Sequence, residues 1–335
     1  MDTSLAIHIP SSIGADKAVS LVRSAEEGGI DRVWLSEDLF FHGAMPTAGA
    51  VAVATRRIGI GFGVLTPYIR HPSLLAMETA SLLDIAGPRV TLGIGAGVKA
   101  RVDRTEIAYR SPLTAVRETT DIVRRMLAGE EITKTGDLYG GDRLSLDIDC
   151  AWPVPPIYLA STGPRSLRQT GSIGDGLVLT IMSSTRHASW ATGEANRAAD
   201  EAGRPTPLPT VVYLPLSVDD DPQQARDRLK PVVAYFLTRW AEIPPLAALF
   251  TDWGPYTPDR LAADVSRLRN GESPHQVVTD SLVDEYCVAG TPTQCLDRLA
   301  AYADCGVTEV ALDGGHHGAD LIGLIQETQL VLSAR

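Results

Sequence analysis

Apolar residues fall in short runs separated by stretches with helical spacing. Residues 5–10 form the first run; beyond a polar loop (Ser11, Ser12, Gly14), Ala18, Val22, Ala25 and Gly29 recur on one helical face that Gly28-Gly29 closes. A second run, residues 32–37, ends in the acidic pair Glu37-Asp38 and leads through a loop with His42 to a short helix over 47–54. Residues 58–97 are the stretch around which the chain is organised. They read as a strand, the loop Thr66-Pro67-Tyr68, a helix after Pro72 and a second strand. Leu74, Leu75, Met77, Leu82 and Ile85 are expected to form the buried face of that helix. Both strands carry glycines toward their C-terminal ends (Gly59, Gly61, Gly63; Gly93, Gly95, Gly97). Such glycines mark a bulge, a ligand close to the backbone, or relief of crowding inside a barrel.

Beyond them lie a basic loop (Lys99, Arg101, Arg104), a helix over 113–127, and an excursion over 129–151 with a turn at Gly140-Gly141. Strands follow at 157–161, 176–180 and 210–218, with a helix over 188–202. A mostly helical insertion near 222–283 is broken by Pro244-Pro245 and Trp253-Gly254-Pro255. Thr291, Pro292 and Gln294 open a helix as a capping box, Gly306 ends it, and Glu309 to Asp313 is the last strand. About eight short strands alternating with helices predict a (β/α)8 TIM barrel with insertions, ahead of a doubly wound sheet. Residues 1–335 are expected to form one such domain.

Composition narrows the function. The chain is 44% hydrophobic and 21% charged, as soluble globular proteins are, and its net charge of −11 opposes binding to nucleic acid or anionic membrane. No run approaches the roughly 18 apolar residues of a membrane span. Cys150, Cys287, Cys295 and Cys305 include no CxxC pair, and the N-terminus has no signal-peptide core. These features lead us to expect a cytoplasmic protein without a structural metal, with Cys295 and Cys305 acting as small buried hydrophobes.

Barrel active sites lie at the C-terminal ends of the strands. That rule selects His8; Glu37, Asp38 and His42; Gly63, Val64 and Thr66; Gly97 and Lys99; Ser161, Thr162 and Gly163; Thr180; and His316 and His317. Ser161-Thr162-Gly163 opens directly onto a helix, where unpaired amides suit a phosphate, although a plain N-cap has the same sequence. Lys99 and Arg101 add charge for an acidic ligand or belong to a solvated loop. Glu37 and Asp38 are candidates for proton transfer or for a hydrogen bond to a polar ring edge. As neighbours they should point to opposite sides, so one of them faces the pocket. His316-His317 has no carboxylate at chelating spacing, so no metal is expected. GIGAGV at 93–98 lacks the GxGxxG register of a dinucleotide site. Tyr235, Phe236, Trp240, Phe250, Trp253 and Tyr256 either cover the barrel mouth or pack ordinary helices.

Three stretches carry a resemblance: GVLTPYIRHPSLLAMETASLLDIAGPRVTLGIGAG, PPIYLASTGPRSLRQTGSIGDGLVLT and CVAGTPTQCLDRLAAYADCGVTEVAL, with WLSED ahead of them. In this order they resemble the luciferase-like flavin and deazaflavin oxidoreductases, and GVLTPYIRHP is most similar to the branch that uses the deazaflavin coenzyme F420. That branch includes methylenetetrahydromethanopterin reductase. The resemblance implies a barrel, often a homodimer, that binds a ring cofactor at the strand ends. It implies a non-proline cis peptide at Gly63-Val64 behind the ring, a cofactor contact at Thr66, a phosphate loop at Thr162-Gly163 and a ring-side threonine at Thr180. The sugar-phosphate dehydrogenases of the branch carry Asp-His after strand two, where this chain has Glu37-Asp38, and a glutamate where it has Val98; Lys99 is closer to the reductases.

The expected function is hydride transfer between the deazaflavin C5 and a small organic substrate, with Asp38 as proton relay and Glu37 bonded to the ring or its side chain. An FMN-dependent monooxygenase of the same fold is the first alternative. A non-catalytic cofactor-binding barrel is the second.

Overall fold

The structure, a computed structural model, describes residues 3–133, 136–314 and 321–334. Its strands are β1 (Ser4–Ile9), β2 (Arg32–Leu35), β3 (Gly59–Phe62), β4 (Val90–Ile94), β5 (Ile157–Ala160), β6 (Gly176–Leu179), β7 (Thr210–Val218), β8 (Val288–Gly290) and β9 (Glu309–Asp313). All pair in parallel: β1 to β6 in chain order, β6 with β7, β7 with β9 and β9 back to β1. That closes an eight-stranded barrel, the (β/α)8 fold. The short β8 stands outside the ring and pairs only with the C-terminal half of β7. It was not legible as a strand, since three residues carry no period.

The helices are α1 (Ala15–Glu27), α2 (Ala44–Ala54), α3 (Pro72–Ala86), α4 (Lys99–Val102), α5 (Pro112–Leu127), α6 (Pro164–Ile173), α7 (Thr185–Glu201), α8 (Pro222–Trp240), α9 (Pro244–Thr251), α10 (Pro258–Arg269), α11 (Pro274–Val277), α12 (Asp280–Tyr286), α13 (Pro292–Asp304) and α14 (Leu321–Ser333). Many start with proline in the first turn, where its missing N–H costs no hydrogen bond. The capping box of α13 forms as expected, with Thr291 accepting from the Gln294 amide. Lys99 to Thr105, expected as a loop, is instead α4 followed by a 3-10 turn. The excursion is tied into an antiparallel bridge between Ile132 and Leu144.

One apolar layer lies between the barrel and its helices, built on outward strand residues such as Ile7, Val33, Leu35, Ile60, Phe62, Leu92 and Ile94. Alternate residues turn inward: Ala6, Trp34, Val178, Val211, Tyr213 and Ala311 join a second cluster with Phe236, Phe250, Tyr256 and Tyr286 of the insertion. Phe236 and Phe250 are therefore packed helix residues, and Tyr256 is a buried residue of the loop before α10, rather than an exposed cover. Trp253 stacks on Trp190, with ring centroids 4.4 Å apart.

The α3 face needs correcting. Leu75, Ala76, Thr79, Leu82, Leu83 and Ala86 are buried, whereas Leu74, Met77 and Ile85 are 43%, 54% and 50% exposed. Hydropathy alone could not decide between two apolar faces of one helix.

Candidate active site at the barrel mouth

The lower end of the barrel interior is plugged by polar side chains. Glu309 takes an ion pair from Arg32 at 3.1 Å and a hydrogen bond from the Trp34 indole, while Arg32 also donates to Thr91 at 2.7 Å. Above this plug the rings of Trp34, Tyr158 and Tyr213 meet at 6.0 and 6.3 Å.

The glycines of β3 and β4 now have a physical reason. A Cβ on Gly61 would lie 2.6 Å from the Trp34 ring, and one on Gly63 would run into the Tyr213 hydroxyl. The Gly63–Val64 peptide is cis, at the bond the resemblance marks, and the chain rejoins β4 just beyond it: Leu65 donates to Gly93 O and Gly95 donates to Leu65 O. The β4 side lacks side chains where the bulge presses on it. A Cβ on Gly93 would strike the Phe62 carbonyl, on Gly95 it would sit 2.7 Å from Val64, and on Gly97 2.9 Å from the Thr66 hydroxyl. So these glycines make room for the protein's own rings and bulge; a ligand lying flat on them is not required to explain them. What faces the mouth is the half-buried backbone of Gly63 and Val64.

Thr66 is buried, and its hydroxyl donates to Ala96 O at 3.2 Å. Its loop is pinned from outside: Tyr139 of the excursion donates to Pro67 O at 2.7 Å, and Tyr68 stacks on Tyr109 at 4.6 Å. Tyr139 is itself positioned by the buried Glu118 of α5, which accepts the amides of Asp137, Leu138 and Tyr139 at 2.8–2.9 Å. Burial works to raise the Glu118 pKa, but those amides and Arg117 outweigh it and hold the carboxyl below its usual range.

Two strands along the rim, α6 begins at Pro164 with Gly163 as its N-cap. Pro164 occupies its first turn, and a Cβ built on Gly163 meets nothing within 4 Å, so this helix start opens on free space. Thr162 and Gly163 are half-buried, and Thr180 sits half-buried just after β6. The Ser161 hydroxyl is buried and shared with Thr170 at 2.8 Å, turned toward α6. Behind it a cavity of about 50 Å³ between Ala96, Leu113 and Gln169 has room for a water but not for a cofactor ring. The Thr162 carbonyl is met at 3.3 Å by Nε2 of His187, a fully buried residue of α7 whose pKa burial pushes down to about 4.

Glu37 is held by partners within the protein. It is spent on Arg70, at 2.6 and 2.9 Å, and on the first amide of α2, Ala44 N, at 3.2 Å. A carboxylate so engaged ties the loops after β2 and β3 together. Asp38 points elsewhere, as expected of a neighbour, and pairs with Arg101 at 3.2 Å while staying 41% exposed. Lys99 is an exposed rim residue whose charge is met by Asp103 at 2.6 Å, and Gly97 beside it has φ +71°. His42 donates from Nδ1 to Ser11 O, 3.1 Å away. His316 and His317 lie outside the described residues, and among the described residues no cluster could hold a metal.

The strand-end rule named His8 but not the partners that hold it. His8 at the end of β1 sets Nδ1 2.6 Å from Oδ2 of Asp313 at the end of β9, and its ring meets Tyr213 edge-on at 5.2 Å. Asp313 ends a strand that was anticipated, so the strand-end rule would have found it; Tyr213 follows from inward alternation along β7.

The fold and this polar rim define a barrel enzyme with its site at the strand C-termini. Residues 3–309 match the luciferase-like monooxygenase family, and the chain belongs to that family. It is similar to the 5,10-methylenetetrahydromethanopterin reductase of Methanolobus tindarius, 30% identical over 297 residues that span 88% of this chain and 89% of the relative. The coenzyme F420 dependent tetrahydromethanopterin reductase of Methanopyrus kandleri superposes with a TM-score of 0.83 at 23% identity, 98% of each chain being covered. An FMN-bound type II Baeyer-Villiger monooxygenase from Pseudomonas putida superposes at 0.75 with 19% identity, covering 99% of this chain and 97% of that one. These two structural likenesses speak for the fold.

Proposed function

We propose that this chain is a coenzyme F420-dependent oxidoreductase of the reductase type, acting on a small organic substrate. The observation that carries this reading is the run of the rim from the half-buried Gly63-Val64 backbone and Thr66, past Gly97, to the open helix start at Gly163. A flat ring would rest on the first part. A phosphate would meet the Arg165 and Ser166 amides in the first turn of α6, stabilised there by the helix dipole; Pro164 has no N–H, and the Gly163 amide donates to Ser166 Oγ at 3.3 Å. The relatives named as F420-dependent or methylenetetrahydromethanopterin reductases favour the deazaflavin over FMN. When bound, the deazaflavin supplies or accepts a hydride at C5. Lys99, Asp38 and Thr180 would border the substrate or the cofactor tail, while Ser161 and Glu37 act by holding the loops. Four free cysteines, two of them buried, fit work in a reducing cytoplasm.

The test is equilibrium binding of F420, FMN and FAD, followed by turnover of 5,10-methylenetetrahydromethanopterin with reduced F420. We expect F420 to bind tightest. Tighter FMN binding with oxygen-dependent turnover would make the chain a flavin monooxygenase instead, the second reading kept open by its FMN-bound structural neighbour.

A homodimer belongs to the same proposal. The eleven residues of α2 contain no charged side chain, Val53 on it is 63% exposed, and Leu74, Met77 and Ile85 line the exposed side of the adjacent α3. The charge-free α2 and the exposed apolar side chains of α3, on a chain of net charge −11, suit a second copy of the same surface.

A further inference from the structure

Hydride reduction of a carbon needs a proton for the heteroatom beside it. Both acids offered after β2 are engaged, Glu37 by Arg70 and Asp38 by Arg101. Among the described residues, the imidazole turned into the barrel mouth is His8, on β1. Its side chain is 8% exposed, Nδ1 is committed to Asp313, and Nε2 on the opposite edge of the ring has no hydrogen-bond partner among the described residues. Tyr213 buttresses the ring edge-on, and the Tyr213 hydroxyl, buried without a partner among the described residues, lies directly under Gly63. The site thus has the order carboxylate, imidazole, open nitrogen, with the half-buried bulge beside it. A carboxylate on Nδ1 fixes the tautomer, so that Nε2 is the atom that gains or loses the proton.

We infer that His8 is the acid–base residue of the reaction, delivering from Nε2 the proton that accompanies hydride transfer, and that Asp313 is its positioning residue. The inference rests on the reductase reading above. In the reducing direction the substrate carbon receives a hydride from the reduced cofactor. The electron pair of the C–O π bond, or of the C–N bond that opens, moves onto the heteroatom. That atom takes the proton from Nε2, leaving His8 neutral and still bonded to Asp313. Oxidation is the exact reverse in atoms and charge. The substrate class follows: a carbonyl, iminium or aminal carbon with a basic oxygen or nitrogen next to it.

A purely structural role, stapling β1 to β9, predicts different behaviour. The experiment compares wild type with His8→Gln, His8→Gly and Asp313→Asn. Fluorescence titration with F420 comes first, then steady-state turnover of 5,10-methylenetetrahydromethanopterin and of acetone with reduced F420. F420 affinity should be unchanged in all variants. With His8→Gln, kcat should fall about 10²–10⁴-fold with little change in KM. His8→Gly should regain turnover when imidazole is added; Asp313→Asn should lose about 10–100-fold and should not respond to imidazole. In the cofactor-free protein, the low-field Nδ1 proton resonance of His8 should vanish on Asp313→Asn. Wild-type turnover by His8→Gln, or a folded His8→Gly that imidazole fails to restore, overturns the assignment. If His8→Gly does not fold, the size-matched His8→Gln decides. Wild type that binds no F420 overturns the reductase reading itself, whereas F420 binding without reduction of either substrate overturns the role and substrate class given to His8.

Discussion

At the scale of single residues, the two kinds of glycine in the mouth should behave oppositely. Gly93 faces the Phe62 carbonyl, a backbone atom that cannot turn away, and Gly163 faces open space. Gly93→Ala should therefore cost several kcal/mol or prevent folding, by overpacking against backbone (~1–3 kcal/mol even where side chains can yield). Gly163→Ala should leave the denaturant midpoint unchanged yet weaken F420 binding in a titration. His187 gives a pH dependence. Burial pushes its folded pKa down to about 4 from the ordinary value of 6.5, so below 6.5 the unfolded chain binds a proton that the folded chain refuses. Stability is then complete above that value and lost as pH falls toward 4, by about 3 kcal/mol in total. Urea midpoints at pH 7 and pH 5 should differ in wild type by more than in His187→Gln.

Elements show where the pattern of the chain was readable and where it was not. Strand ends and helix starts were placed well because proline, glycine and capping residues act locally: Thr291-Pro292-Gln294 opens α13, and Gly306 follows its end. The fate of a side chain at those ends depends on partners far away in sequence. Glu37 could not be known to meet Arg70, nor Ser161 to turn inward to Thr170, nor β3 glycines to face Trp34 and Tyr213. Adjacent carboxylates at a strand end read as chemistry, and one of them is structure. The excursion illustrates this best, having no period of its own but a buried carboxylate at its root. Glu118→Gln puts an NH2 group against one of three amide donors and should cost about 1–3 kcal/mol. Hydrogen exchange at Asp137, Leu138 and Tyr139 should speed up, and the Thr66 loop that Tyr139 props should loosen with it.

For the whole molecule, the barrel closure was foreseeable from alternation and count, and the surface that covers it was not. α3 has two apolar faces; only the three-dimensional ring decides that Leu75 and Leu82 go in while Met77 and Ile85 stay out. If a second copy covers the outer one, Met77→Asp with Ile85→Asp should shift the protein from dimer to monomer in sedimentation velocity. The fold of the separated chain should survive, since neither side chain is in the core.

The Arg32–Glu309–Trp34 plug at the lower end of the interior has a kinetic corollary. With that end stoppered, everything that visits the lumen shares one doorway, and whatever settles deepest must arrive first and depart last. Initial-rate patterns should intersect rather than run parallel, and the product released last should compete with the reactant that enters first.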